Sequence, residues 1–126
     1  SKLKPLNPYG WSKHLYDIRV TRSSIEEKLS PKCWAGLKFF NVYGPNEDHK
    51  GAQSSVAYQM IKQIKSGEPI TLFRSHNNEY KDGEQLRDFI YVEDCVSVIN
   101  WFLNRNEFTG IYNVGSGKAR NFLDLA

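Results

Sequence analysis

Apolar residues near the start of the chain recur at helical spacing, and they predict an amphipathic helix. Asn7 is a helix-capping residue and Pro8 is tolerated at the first helical position, where its missing N–H costs nothing. The apolar stripe that follows comprises Trp11, Leu15, Ile18 and Ile25. Ser30 and Pro31 are expected to end this helix, because proline breaks the hydrogen-bond pattern.

Short apolar runs alternate with helical patterns along the rest of the chain. Predicted strands cover 33–40, 70–73, 89–92 and 110–114, the first of them buried on both faces of a parallel sheet. Loops are predicted at 41–45 and 74–85, and a turn at 115–117. Helices are predicted from a cap at Ser54 or Ser55 to Gly67, from Glu93 through Leu103, and from Asn121 onward. Strands that alternate with helices indicate an α/β protein.

Composition excludes several classes of protein. The 126 residues carry a formal net charge of +3, but the basic residues are interleaved with acids, so no tract suggests nucleic-acid binding. No apolar run approaches the roughly 20 residues of a membrane-spanning helix. Cys33 and Cys95 form no disulfide framework, which favours a reducing cytoplasm. The three histidines are scattered, so we expect no metal site.

Tyr9 and Lys13 lie four residues apart on the first predicted helix, so both side chains are expected on one face. An ammonium beside a phenol favours the phenolate, which makes a tyrosine usable as an acid and base in alcohol and ketone interconversion. The spacing alone is a weak signal, and an exposed pair without chemistry is the alternative.

The sequences Tyr9-Gly10-Trp11-Ser12-Lys13 and Asn41-Val42-Tyr43-Gly44-Pro45 together resemble the extended short-chain dehydrogenase/reductase family. The resemblance implies the C-terminal part of a Rossmann-type doubly wound parallel sheet with a smaller α/β substrate-binding lobe. It also implies that Tyr9 and Lys13 are catalytic and contact a nicotinamide cofactor, NADP or alternatively NAD. Val42 would contact that cofactor through its backbone.

The segment Glu47-Asp48-His49-Lys50-Gly51, followed by Ser55-Val56-Ala57-Tyr58, is similar to the ADP-glyceromanno-heptose 6-epimerases. In that family this lysine is a second acid/base, so Lys50 is implied to be catalytic and to lie at the cofactor. Inverting a carbinol carbon by transient oxidation uses both faces of the carbon, and two separate proton carriers meet that need. The alternative for Lys50 is a solvated loop lysine.

The same resemblance implies a substrate-binding set of Asn41, Phe73, Arg74, Ser75 and Arg87. Arg87 would meet the diphosphate as a bidentate donor, and its alternative is an ion pair with Asp88. Ala52 and Gln59 depart from the serine and histidine common in the family, which puts those two contacts in doubt.

A dinucleotide fingerprint is missing, because Gly115-Ser116-Gly117 comes late and lacks the third glycine. In the family that fingerprint and the catalytic Ser or Thr lie upstream of Tyr9, so we expect a fragment that is poorly folded and inactive alone. We expect 1–45 to finish the NADP-binding domain and 46–126 to form mostly the substrate lobe, with 87–105 returning to the Rossmann domain.

The resemblance implies C6 epimerisation of ADP-D-glycero-D-manno-heptose for lipopolysaccharide inner-core synthesis, by a cytoplasmic homo-oligomer that binds a nucleotide sugar, with neither nucleic acid nor membrane as a partner. Another nucleotide-sugar 4-epimerase, a 4,6-dehydratase or a non-catalytic nucleotide-sugar-binding remnant stays an alternative.

Overall fold

Helices and strands alternate in a computed structural model of the chain, which describes residues 3–26, 28 and 33–126. The helices are α1 (Pro8–Ile25), α2 (Val56–Ser66), α3 (Val92–Leu103) and α4 (Phe122–Leu125), with a 3₁₀ helix at Asp48–Gln53. The strands are β1 (Ala35–Phe39), β2 (Asn41–Tyr43), β3 (Leu86–Tyr91), β4 (Gly110–Val114) and β5 (Ala119–Asn121). The predicted α/β class is confirmed.

The strands form two small sheets. β1 pairs with β4, and β2, β3 and β5 form a three-stranded sheet in that order. β2 runs parallel to β3 with Val42 opposite Ile90, whereas β5 runs antiparallel to β3 with Arg87 opposite Arg120. The parallel pairing is the feature expected of a Rossmann-like sheet.

The chain divides into two compact units, the first comprising 1–38 and 102–112 and the second comprising 39–101 and 113–126. Among the described residues, the buried apolar side chains all lie in the second unit: Met60, Ile90, Cys95, Val114 and Phe122. Phe122 packs edge-on against Phe73 and Phe89, with ring centroids 5.8 and 5.7 Å away. These contacts attach the long loop before β3 to the core. The predicted domain boundary at residue 45 stays a prediction.

Helix α1 begins where the sequence indicates. The Asn7 side chain accepts a hydrogen bond from the N–H of Gly10 at 2.8 Å, and Pro8 occupies the first turn. The helix ends at Ile25, and the predicted stop at Ser30 and Pro31 lies outside the described residues. Its apolar stripe is not buried: Leu15 is 57% exposed and Ile25 is 77% exposed.

Two predicted elements are wrong, and one short strand is not predicted. Residues 41–43, predicted as a loop, form β2 because their backbone pairs with β3. Residues 70–73, predicted as a strand, have no strand partner, because the Thr71 N–H donates to the Gln63 side chain at 3.1 Å and the Phe73 carbonyl accepts from Gln85 at 3.4 Å. β5 is not predicted beyond the cap at Asn121, because its pairing with β3 leaves no local signal in the sequence.

Gly44 lies where β2 leaves the sheet and passes close to α3. A Cβ added at Gly44 would lie 3.0 Å from the Cβ of Val92 and closer still to one of its methyl groups. Val92 cannot swing away easily, because β-branched side chains are restricted at χ1. Gly44→Ala is expected to lower the free energy of unfolding by about 1–3 kcal/mol, measured by urea denaturation.

Gly36→Ala is the matched control, because its added Cβ would meet Ile111 and Trp34 only at 3.4 and 3.5 Å. Those are ordinary van der Waals distances, so this change is expected to be neutral or slightly stabilising. Equal destabilisation by the two alanines would contradict a specific close contact at Gly44.

Candidate functional site

Tyr9 and Lys13 occupy the first turns of α1 in the first unit. The Lys13 Nζ lies 5.3 Å from the centroid of the Tyr9 ring, a cation–π distance, so the two groups share one face as their spacing predicts. Tyr9 is 72% exposed, which leaves its hydroxyl accessible to another molecule. The pair has the composition of a proton-transfer site on a secondary alcohol.

Two side-chain contacts hold α1 against β1 within the first unit. Lys38 on β1 forms an ion pair with Asp17, and the Trp34 indole N–H donates to the Ser24 hydroxyl at 3.0 Å. A cavity of about 230 Å³ lies between the two elements and is lined by Tyr16, Val20 and Ile111 among others. The helix that carries Tyr9 and Lys13 is therefore fixed along its later turns.

Asn41 and Val42 lie on β2 in the second unit. The Asn41 side-chain amide donates to the backbone carbonyl of Asp88 at 3.0 Å, so its orientation is set by the neighbouring strand β3. The Val42 N–H donates to the carbonyl of Phe40 at 3.0 Å. Asn41 is exposed and Val42 half-buried, so the polar side chain at this point of the sheet faces away from the core.

Lys50 lies in the 3₁₀ helix between β2 and α2. Its ammonium is 3.5 Å from the carboxylate of Glu47, and 46% of its side chain is exposed. The next residue, Gly51, has φ of 53°, a conformation that glycine adopts at no steric cost, so the chain turns sharply directly after Lys50. Lys50 is thus a partly solvated lysine with one acidic contact, on a segment with a defined backbone.

Glu47 is the buried centre of this segment, only 4% exposed. Its carboxylate accepts from the Ser55 N–H and the Ser55 hydroxyl, each at 2.7 Å, and from the Gly44 N–H at 3.3 Å. Burial alone would raise the pKa of the Glu47 carboxyl, but the hydrogen bonds from Ser55 and Gly44 and the charge of Lys50 outweigh burial and lower this pKa. Glu47 is therefore held as a carboxylate at neutral pH.

A second contact anchors the same segment on α2. The Tyr58 hydroxyl donates to the Asp48 carboxylate, and this bond raises the pKa of Tyr58 further than its slight desolvation does. Gln59 donates to the carbonyls of Ser54 at 2.9 Å and Ala52 at 3.3 Å. The Tyr58 and Gln59 side chains of α2 and its cap residue Ser55 thus hold this loop against the helix.

A cavity of about 340 Å³ opens beside this loop, at the lower end of the range for ligand pockets. Its lining combines loop and helix residues: Asp48, Gly51, Ala52, Ser54, Tyr58, Gln59, Lys62, Gln63, Ser66 and Glu68. Ala52 and Gln59, the two positions that depart from the resemblance, both line it. A ligand bound in this cavity would therefore meet Ala52 and Gln59 in place of the serine and histidine common in the family.

Phe73, Arg74 and Ser75 lie in the long loop before β3, which contains neither helix nor strand. Phe73 is 56% exposed despite its contact with Phe122. The Ser75 N–H donates to the Asp82 carboxylate at 2.6 Å, and the Ser75 hydroxyl donates to the Asn77 carbonyl at 2.9 Å. The loop therefore has an internal hydrogen-bond framework that presents an aromatic ring and an exposed arginine.

Arg87 and Asp88 on β3 have different partners, so the alternative of an ion pair between these two residues is not observed. The Arg87 guanidinium donates to the Leu86 carbonyl at 2.7 Å and is exposed. The Asp88 carboxylate accepts from the Ser116 N–H and hydroxyl, both at 2.8 Å, and from the Gly117 N–H at 2.9 Å. Desolvation would raise the pKa of Asp88, but these bonds outweigh it and lower the pKa.

The turn at 115–117 is consequently closed to a phosphate group. Backbone N–H groups of glycine-rich turns bind dinucleotide phosphates when they are available. Here Asp88 occupies the N–H groups of Ser116 and Gly117, and a Cβ at Gly115 would lie 2.6 Å from the Asp88 Oδ2. This turn therefore does not fit the diphosphate of a dinucleotide, whereas Tyr9 and Lys13 are exposed and accessible to a ligand.

Replacing Asp88 with alanine is expected to lower the free energy of unfolding by about 2 kcal/mol at pH 7, because it leaves Ser116 and Gly117 without their acceptor. The folded pKa of Asp88 is lowered, so this stabilisation is present above its usual value of 3.8 and is lost as pH falls through the folded pKa. Urea unfolding at pH 7 and below pH 4 measures the effect.

Ser116→Ala is the control for this experiment, because it removes the hydroxyl bond and keeps both backbone bonds. Its expected cost is about 1 kcal/mol. A difference between wild type and Asp88→Ala that did not shrink in acid would contradict the ionic character of this contact.

Three further properties concern the described part of the chain. There, no cluster of three or more His, Cys, Asp or Glu side chains is placed to bind a metal ion. No helix in the same residues combines the length and apolarity that crossing a membrane requires. Cys33 and Cys95 are free cysteines.

The sequence patterns did not indicate two functional features. These are Glu47 as the centre of the Lys50 segment and Asp88 as the acceptor for the turn at 115–117. The spacing of Glu47 and Lys50 at i,i+3 is a usable signal for the first, because such residues are neighbours on a helical turn. For the second, Asp88 and Ser116 are 28 residues apart, and no local pattern connects them.

Comparisons with known proteins place these features in a family. Residues 1–115 match the model of the NAD dependent epimerase/dehydratase family. The chain is 48% identical over 125 residues to the ADP-L-glycero-D-manno-heptose-6-epimerase of Fusobacterium nucleatum, a match that covers 99% of the chain and 36% of that relative. The chain thus spans about a third of the length of this curated relative.

Solved structures agree with the fold. The Helicobacter pylori ADP-L-glycero-D-manno-heptose-6-epimerase superposes with a TM-score of 0.79 at 33% identity, covering 97% of this chain and 35% of that one. A Thermus thermophilus UDP-glucose 4-epimerase, solved in complex with NAD, gives a TM-score of 0.77 at 28% identity and covers 97% and 37%. With 115 of its 126 residues matched by the family model, the chain belongs to the NAD-dependent epimerase/dehydratase family.

Proposed function

We propose that the chain is the C-terminal part of an ADP-glyceromanno-heptose 6-epimerase. The full-length enzyme would convert ADP-D-glycero-D-manno-heptose to its L-glycero epimer by transient oxidation and re-reduction at C6. The similarity to relatives of that name supports the reaction class, and the span of about a third of their length supports a longer protein.

Tyr9 and Lys13 are proposed to act at the C6 hydroxyl and the cofactor. A bound nicotinamide dinucleotide, NADP in this proposal, would supply the reversible redox chemistry at C6. The Tyr9 hydroxyl transfers the proton of the sugar oxygen, and Lys13 binds the nicotinamide ribose and keeps a positive charge beside the phenol. The distance of 5.3 Å between the Lys13 ammonium and the Tyr9 ring supports this division of roles.

The observation that carries the proposal is Lys50, an amine outside the Tyr9 helix that a buried carboxylate holds at 3.5 Å. During inversion, the sugar oxygen loses its proton in one pose of the substrate. The keto intermediate then turns over, and the same oxygen accepts a proton in the second pose. Tyr9 serves one pose and Lys50 the other, so no single group has to reach both. A 4,6-dehydratase, which does not invert the carbon that it oxidises, would have no need of this second amine.

Substrate binding is proposed for Asn41, Phe73, Arg74, Ser75 and Arg87. Arg87 is exposed and not paired with Asp88, which supports a role as a donor to the diphosphate. Val42 is proposed to contact the cofactor through its backbone and Lys50 through its ammonium. The cavity beside the Lys50 segment is proposed to receive part of the sugar nucleotide.

The cellular setting belongs to the same proposal. The full-length enzyme would act in the cytoplasm as a homo-oligomer and supply heptose for the inner core of lipopolysaccharide. The 126-residue chain by itself is expected to be inactive and to bind NADP poorly, because its sequence contains no glycine-rich dinucleotide fingerprint.

Incubation of the full-length protein with ADP-D-glycero-D-manno-heptose tests the proposal, with C6 inversion followed by proton NMR. The expected result is an equilibrium mixture of the two C6 epimers. Turnover of UDP-glucose or dTDP-glucose with no C6 inversion would favour a 4-epimerase or a 4,6-dehydratase instead. Binding of ADP-heptose without any turnover would favour a non-catalytic binding protein.

A further inference from the structure

Glu47 connects three parts of the second unit that meet around Lys50. Its carboxylate contacts the Gly44 N–H at the end of β2, Ser55 at the start of α2, and the Lys50 ammonium in the 3₁₀ helix between them. The Glu47 carbonyl also accepts from the Lys50 N–H at 3.0 Å. Lys50 is therefore tied to Glu47 through both its backbone and its side chain.

A buried carboxylate is costly unless hydrogen bonds and an opposite charge compensate it. Glu47 has three hydrogen bonds from Ser55 and Gly44, and among the described residues its cationic contact is the partly exposed Lys50. A purely structural cap for α2 would not need that contact, because the Ser55 side chain already caps the helix by accepting from the Tyr58 N–H at 3.1 Å. Capping of α2 therefore does not account for the contact of 3.5 Å between Glu47 and the Lys50 ammonium.

We propose that Glu47 is the positioning residue for Lys50, holding its ammonium at the place from which it exchanges a proton with the sugar oxygen. This inference rests on the proposed function, since it concerns the second acid/base of that reaction. Without the carboxylate the flexible lysine side chain would sample many rotamers, and misplacement of an acid/base by about 1 Å can cost about 100-fold in rate.

A double-mutant cycle in the full-length protein tests this role with ADP-D-glycero-D-manno-heptose as substrate. Glu47→Gln keeps the size of the side chain and one acceptor oxygen but removes the charge. It is expected to lower kcat by about 10- to 100-fold with little change in KM. In a Lys50→Met background the same change should cause no further loss of kcat, because the group it positions is gone.

Ser55→Ala is the matched control, because it removes one hydrogen bond to Glu47 and the cap of α2 while leaving the ion pair in place. It is expected to lower the melting temperature with a small effect on kcat. Glu47→Asp, which keeps the charge one methylene shorter, should retain more activity than Glu47→Gln. This conservative variant also serves if the glutamine variant does not fold.

The outcomes separate this inference from the proposed function. If Lys50→Met is impaired but Glu47→Gln keeps full kcat, or loses the same factor with and without Lys50, the positioning role is wrong and the function stands. If Lys50→Met keeps full activity, the positioning role of Glu47 and the acid/base role of Lys50 are both wrong, while C6 epimerisation itself stands. Absence of C6 epimerisation by the unmodified full-length protein would overturn the proposed function. An aspartate variant less active than the glutamine variant would also overturn a role that depends on charge.

Discussion

Replacing Lys50 with methionine in the full-length protein is expected to slow C6 epimerisation by about 10²- to 10⁴-fold, the usual contribution of one acid/base. Methionine preserves the length and apolar stem of the side chain and removes the ammonium. Because 46% of the Lys50 side chain is exposed, the fold should tolerate the change. The rate of epimer formation, measured by NMR at saturating substrate, checks this expectation.

Lys65→Met is the matched control, since Lys65 is an exposed lysine in the last turn of α2 and has no place in the proposed site. It should leave the rate unchanged. NADP should remain bound to the Lys50→Met protein, as judged by equilibrium titration. Full activity of Lys50→Met would remove the second acid/base and return Lys50 to the alternative of a solvated loop lysine.

Tyr9→Phe is expected to reduce the same step by about 10²- to 10⁴-fold, because it deletes the single hydroxyl that exchanges the proton. The ring itself stays, and with it the contact with Lys13 at 5.3 Å. Folding should be unaffected, since Tyr9 is 72% exposed. Steady-state kinetics and a melting curve of the purified protein measure the two properties.

Tyr16→Phe provides the control on the same helix, where Tyr16 is 68% exposed. The loss of one exposed hydroxyl there should change neither kcat nor stability. Comparable losses of activity in the two phenylalanine variants would mean that tyrosine hydroxyls on α1 act through the structure of the helix rather than through proton transfer.

The elements that sequence predicted correctly are those set by local chemistry. Asn7 caps α1, Ser55 caps α2, and Gly67 ends α2 with φ of 72°, each as the residue type requires. Asn121 and Asp124 form a reciprocal capping box at α4. Such signals are contained within about four residues, so they are readable without knowledge of the fold.

The elements that sequence missed depend on partners far along the chain. β2 contains only three residues and exists because Val42 pairs with Ile90. Residues 70–73 have the apolar composition of a strand, but side chains of Gln63 and Gln85 satisfy part of their backbone. Strand formation is decided by a neighbouring strand more than by intrinsic preference, which explains both errors.

Local sequence patterns likewise predicted one part of the candidate site and not the other. Tyr9 and Lys13 were predictable because residues four apart on a helix are neighbours. The partner of Lys50 was not, because Glu47 becomes its buried counter-charge only when Ser55 and Gly44 fold around the carboxylate. Hydrogen bonds from Ser55 to Glu47 span eight residues across a 3₁₀ helix and a cap.

The proposal that Tyr9 and Lys50 are two separate proton carriers is tested most directly by the oxidation of each C6 epimer in a single turnover. Formation of the 6-keto sugar is measured by mass spectrometry. Each epimer presents its oxygen to a different proton carrier, so Tyr9→Phe should slow one epimer more and Lys50→Met should slow the other more. If both variants slowed both epimers by the same factor, neither group would be specific to one pose, and the proposed division of roles between Tyr9 and Lys50 would be contradicted.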